Sequence, residues 1–139
     1  MRFQPPLAQY HFEKYILEIA IITLEMGGSE SNPETYQIFP PVDEWKFPKY
    51  PSKTAILSPE TDLVGELKTF ILSNELFLQE SDCCLGTWVH PQTRYFYLDI
   101  ITSPQDLEEA KKMALEISSR EGRKIVALYN SERNETVYL

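Results

Sequence analysis

Residues 81–101 read SDCCLGTWVHPQTRYFYLDII, and their reading decides the fold. Two runs rich in apolar, aromatic and β-branched residues, CCLGTWVH (83–90) and RYFYLDII (94–101), flank the turn-forming PQT. That pattern predicts a β-hairpin. Side chains alternate across a strand, so each run sorts into two faces. Cys84, Gly86, Trp88 and His90 share one face of the first strand; Cys83, Leu85, Thr87 and Val89 share the other. In the second strand Tyr95, Tyr97, Asp99 and Ile101 oppose Phe96, Leu98 and Ile100. A glycine inside such a run, Gly86, signals a bulge or the close approach of a neighbouring backbone.

The same stretch gathers both cysteines, one of the two histidines and one of the two tryptophans. Zinc and redox sites space their cysteines so that both sulfurs reach one centre. Adjacent cysteines on a strand point to opposite faces instead. His90 lies about 20 Å from Cys84 along an extended chain, at roughly 3.3 Å per residue. No metal site and no cofactor is therefore expected, and what remains is a partly exposed thiol at Cys83 or Cys84.

Downstream, TSPQDLEEAKKMALEISSREG (102–122) carries the strongest helical pattern. Ser103 is the expected cap, Pro104 opens the helix and Asp106 supplies a capping acid. Leu107, Ala110, Met113, Ala114 and Ile117 form the inward face, and Gly122 closes it. KIVALYN (124–130) and ETVYL (135–139) make a second hairpin through SERN. The C-terminal part is thus ββαββ.

Upstream, a helix is expected from Ser58, its cap, to about Gln79, burying Leu63, Leu67, Phe70 and Ile71. The first element, about Ala8 to Met26, is also read as a helix. At 100° per residue His11, Lys14, Glu18 and Glu25 fall on one narrow stripe and apolar side chains fill the rest. It is expected to be largely buried and to end at Gly27-Gly28. Residues 29–59 are broken by proline, eight of the ten prolines lying in the first 59 residues, which argues for irregular connections. Two short strands survive there, Tyr36–Phe39 and Thr54–Leu57. Tyr36, Phe39, Trp45, Phe47 and Tyr50 should lie flat on the domain, because large aromatics are costly to expose.

These elements predict one α+β domain over residues 1–139. Residues 1–59 form a helix plus a proline- and aromatic-rich segment. Residues 60–139 form a helix followed by ββαββ, with a mainly antiparallel sheet covered by helices. A length of 139 residues suits a single domain.

Twenty-one acidic residues outweigh 13 basic ones, a net charge of -8, and the cations form no cluster. Nucleic acid and anionic membrane surfaces are not expected partners. YILEIAIITLEM (15–26), the most apolar run, is short and contains Glu18 and Glu25, so it cannot span a bilayer. The opening MRFQPPLAQYHFEKY lacks the basic start and apolar core of a leader, and a cytoplasmic location is expected.

No phosphate-binding glycine loop, nucleophile elbow or HExxH helix is present. His11 lies on the polar stripe and His90 starts a turn. The leading reading is a non-catalytic interaction or regulatory module that binds a protein partner. One version is an inhibitor or immunity-type protein that covers a basic active site with its acidic surface; another self-associates into a homodimer through an open sheet edge ending in ETVYL. The rival reading is a small-molecule-binding protein or enzyme. Its pocket would lie between the aromatic loop (36–50) and the sheet, lined by Trp45, Tyr97 and Asp99, the last a carboxylate set in an apolar run.

Overall fold

The computed structural model describes residues 6–139; the leader reading, which rests in part on residues 1–5, lies outside them. In chain order the elements are helix α1 (Pro6–Met26), strands β1 (Gly28–Asn32), β2 (Gln37–Ile38) and β3 (Phe47–Pro48), a short 3-10 turn (Pro51–Lys53) and strand β4 (Ala55–Leu57). Helices α2 (Leu63–Ser73) and α3 (Glu75–Leu78) come next, then strands β5 (Cys83–Val89) and β6 (Phe96–Thr102), helix α4 (Leu107–Glu121), and strands β7 (Ala127–Asn130) and β8 (Glu135–Tyr138). The protein is a single α+β domain built on a mainly antiparallel sheet.

The β5–β6 hairpin is the centre of that sheet. Its register is unbroken, from Cys83 opposite Thr102 to Val89 opposite Phe96. Gly86 therefore marks no bulge. It makes room for a side chain, because a Cβ there would lie 2.9 Å from Cγ2 of Ile101. Around the hairpin the strand order is β2-β1-β5-β6, with β3 and β4 sharing the far side of β6. The last hairpin, β7–β8, forms its own two-stranded sheet. It is joined to the rest by paired backbone bonds between Lys46 and Tyr129 at 2.8 and 3.1 Å.

Strand β1 is absent from the sequence-based expectation, because GSESN has no β-branched or aromatic residue to signal a strand. Tertiary partners hold it. It pairs with β5 from Gly28 opposite Trp88 to Ser31 opposite Leu85. Its hydroxyls bond to both neighbours: Ser31 Oγ lies 2.6 Å from Tyr15 Oη, and Ser29 Oγ lies 2.6 Å from Thr87 Oγ1, which is itself 2.6 Å from Thr23 Oγ1. The two glycines before it divide the work. Gly27 takes φ 87° and its N–H donates to the Thr23 carbonyl, ending α1. Gly28 needs its missing side chain, since a Cβ would sit 2.7 Å from the Thr87 carbonyl oxygen.

Two caps differ from expectation. Helix α4 starts one turn late: Asp106, not Ser103, is its cap, accepting from the Glu109 N–H at 2.9 Å. The Pro104 carbonyl instead accepts from the Trp45 N–H at 2.9 Å. Helix α2 begins at Leu63, and Ser58 belongs to the preceding turn. The helix read as continuous to Gln79 breaks at Asn74, whose side-chain amide donates to the Phe70 carbonyl at 2.8 Å and competes with helical continuation.

The core has two centres. In the first, Ile16 and Ile19 of α1 and Leu67 and Phe70 of α2 pack on Leu85, Leu98 and Ile100 of the hairpin. In the second, Ala110, Ala114 and Ile117 of α4 enclose Trp45 and Phe47 with Ile125 and Leu128. Helix α1 is buried on one side only, and its opposite side exposes apolar residues, against the expectation of a largely buried helix. Among the described residues no helix is long and apolar enough to cross a membrane.

Candidate functional site

Helices α1 and α2 pack on one face of the β5–β6 hairpin, and the side chains directed to the other face are read off the register. Trp88 stands opposite Tyr97, and Tyr97 opposite Ile56 of β4, so the three form a cross-strand row. Directly paired side chains of adjacent strands touch. The Trp88 and Tyr97 rings lie 5.2 Å apart, and the His90 ring lies 5.2 Å from Trp88 and 6.3 Å from Tyr97. Trp88 is 45% exposed, Ile56 49% and Tyr95, at the hairpin end, 41%. Aromatic rings with polar tips, partly open to solvent, are well suited to contact with another macromolecule.

One row further along lie Glu30, Gly86 and Asp99. The Thr54 hydroxyl donates to Asp99 Oδ1 at 2.5 Å. Burial of the carboxyl pushes its pKa up from the ordinary aspartate value, and the single hydroxyl donor only partly opposes this. Glu30 forms a largely buried ion pair with Lys46, which also donates to Ser131. This pair ties β1 to the turn between β7 and β8.

The sequence candidates separate. Tyr97 and Asp99 share a face of β6, as alternation predicts. Trp45 is only 2% exposed, held in the cluster under α4 with the Arg133 guanidinium 5.6 Å from its ring. Arg133 in turn makes a two-pronged pair with Asp43 at 2.8 and 3.0 Å. Trp88 and Ile56, absent from the sequence candidates, take the exposed positions. The signal for Trp88 was present, because alternation puts it on the face that pairs with Tyr97.

A second cluster brings together groups that could ligate a cation. Ligand atoms of Glu80, Asp82 and Cys83 lie within 4.8 Å of one another. The Lys49 ammonium already bridges the carboxylates, 2.7 Å from Glu80 and 2.9 Å from Asp82, and the Tyr50 hydroxyl donates to Glu80 at 2.7 Å. An internal cation thus fills the role a metal would take. Burial pushes both thiols, Cys83 and Cys84, up to about 12, so they stay protonated and weakly nucleophilic at neutral pH. A shallow cleft beside α1 is lined by His11, Lys14, Tyr15, Glu18 and Tyr36.

Comparison with known proteins returned no match: no protein-family model, no curated protein and no solved structure matches this chain.

Proposed function

We propose that the chain is a non-catalytic protein-interaction module whose recognition surface is the partly exposed row Trp88–Tyr97–Ile56 with Tyr95 and His90. The observation that carries this reading is the exposure of Trp88 and Ile56 on either side of half-buried Tyr97, across three hydrogen-bonded strands of the main sheet. Aromatic anchors on rigid elements are what interface centres use. A net charge of -8 favours a cationic partner over nucleic acid. Free Cys83 and Cys84 support a reducing, cytoplasmic setting.

The small-molecule reading draws support from Asp99, whose carboxyl is desolvated beside Tyr97 and Thr54. Enclosure of Trp45 weighs against it, because a sealed indole offers no surface to a ligand.

The test is affinity capture from source-cell extract at low salt. A basic protein should be retained, released by high salt, and lost with Trp88→Ser or Tyr97→Ser but kept with Leu115→Ser on α4. Recovery of nothing at low salt, or equal recovery by the Trp88 variant, sinks the reading.

A further inference from the structure

Helix α1 shows two apolar sides. Tyr15, Ile16, Ile19, Ala20 and Thr23 are buried against the sheet and α2. On the far side Leu7, Tyr10, Leu17, Ile21 and Leu24 are each at least half exposed. Their positions, with Lys14, run 7, 10, 14, 17, 21 and 24, alternating steps of three and four. That is the spacing of a coiled-coil seam, the residues that enter a facing helix as knobs. A solvated helix face would instead carry polar residues at these positions.

We propose that α1 pairs with α1 of a second copy of this chain, antiparallel, giving a two-fold homodimer. The occupant follows from the spacing itself. Turned end for end, the seam falls on itself: Leu7 meets Leu24 of the other copy, Tyr10 meets Ile21, and Lys14 meets Leu17. Of the six layers this creates, four are wholly apolar. The charges agree as well. Lys14 and Glu18 of one helix are only 3.9 Å apart at the limit of an ion pair. In the antiparallel pair Lys14 of one copy stands within about 1.5 Å, in height along the axis, of Glu18 of the other, and both lie on the same flank. Symmetry makes this attraction twice.

The area suffices. Five large side chains, each half exposed or more, offer roughly 600 Å² per copy, so a pair buries about 1,200 Å², above the ~1,000 Å² that a specific contact needs. The edge strands of the main sheet compete poorly for this role. β2 and β3 are two residues long and β4 three, too short to template another strand. This dimer uses a different surface from the Trp88 row and stands or falls separately from it.

Sedimentation equilibrium of the full chain tests the proposal. The wild type should be a dimer at about 100 µM. Leu17→Glu/Ile21→Glu should be monomeric and folded by circular dichroism, the affinity falling at least about a hundredfold because four like charges enter the seam. Leu115→Glu, an exposed leucine on α4, should remain dimeric. As a gentler probe, Lys14→Glu should weaken the dimer and Lys14→Glu/Glu18→Lys should restore it. Mixing Leu7→Cys with Leu24→Cys chains should trap a mixed disulfide, with wild type as the thiol control. A wild type that stays monomeric, leaving the stripe for another protein's helix or a lipid surface, overturns the proposal. So does a dimer that survives the double glutamate variant, or a disulfide that forms only between like positions.

Discussion

The hydroxyls of Thr23 and Thr87 lie 2.6 Å apart, joining α1 to the central strand β5 across 64 residues of chain. Thr23 is in addition bonded to the Ile19 carbonyl at 2.7 Å, and Thr87 to Ser29. The helix is thereby located on the sheet by polar bonds as well as by apolar contact. Thr87→Val keeps the shape but strips Ser29 and Thr23 of a partner, and it should cost about 1–3 kcal/mol. Thr23→Val should cost about 1 kcal/mol, since the helical carbonyl it serves has other donors. Urea unfolding of both singles and the double checks this; the double should fall short of the sum by about 0.5 kcal/mol or more. Strict additivity would show that the two hydroxyls do not act together.

The neighbouring glycines make different demands, and substitution separates them. Gly27 needs only its positive φ, so Gly27→Ala should cost about 1–2 kcal/mol and Gly27→Asn less, because asparagine tolerates the left-handed region. Gly28 needs space against the Thr87 carbonyl, and both Gly28→Ala and Gly28→Asn should cost about 1–3 kcal/mol by displacing β1 from β5. Thermal unfolding of the four variants reads this out. Equal tolerance of asparagine at both positions would contradict it.

Acid stability should depend on Lys49. Its bond to Glu80, with that from Tyr50, holds the Glu80 carboxyl below the usual range. Burial pushes the Asp82 carboxyl up, but the bond and charge of Lys49 and the Thr102 hydroxyl outweigh it and hold it low. Groups with depressed folded pKa contribute stability that is complete above the unfolded carboxylate value of about 4 and is lost as pH falls through the folded values. Lys49→Met should therefore cost about 1 kcal/mol at pH 7, solvent screening included. Its stability should change less than the wild type's, or even rise, on acidification below pH 4, because two unpaired carboxylates repel. Calorimetric Tm profiles from pH 7 to pH 2 decide; parallel profiles would exclude the bridge as a stabilising element.

The two hairpins and α4 were legible in the sequence because alternation and helical spacing state them directly. What escaped it shares one cause: the residue type was ambiguous and a distant partner resolved it. GSESN reads as a loop until Thr87 and Tyr15 receive its serines. Helix α1 is apolar on both sides, and nothing local says which side meets α2 and which meets solvent. Trp45 and Trp88 differ in the same way. Trp45 sits in a proline-rich loop whose aromatics are expected to lie on the domain, but nothing local says that α4 encloses it. Trp88 sits in an apolar strand, where burial is natural, yet its face is left open. Tyr97 and Asp99 were placed correctly on one face because a strand's period of two admits a single assignment.

Asp99 gives the opposite pH signature to Glu80 and Asp82. Burial raises its folded pKa, and the Thr54 bond only partly offsets this. For this group the folded chain holds its proton more tightly than the unfolded one. Its contribution to stability is therefore complete below the unfolded value of about 4 and declines as pH rises through the raised folded value. Asp99→Asn removes that decline, since the amide is neutral at every pH and its oxygen still accepts from Thr54. The variant should melt above the wild type at pH 7, with the difference closing toward pH 4. Scanning calorimetry at both pH values measures the gap. A variant less stable than wild type at pH 7 would mean that the ionised carboxylate is well paired in the folded protein, and would turn attention back to this position as a binding site.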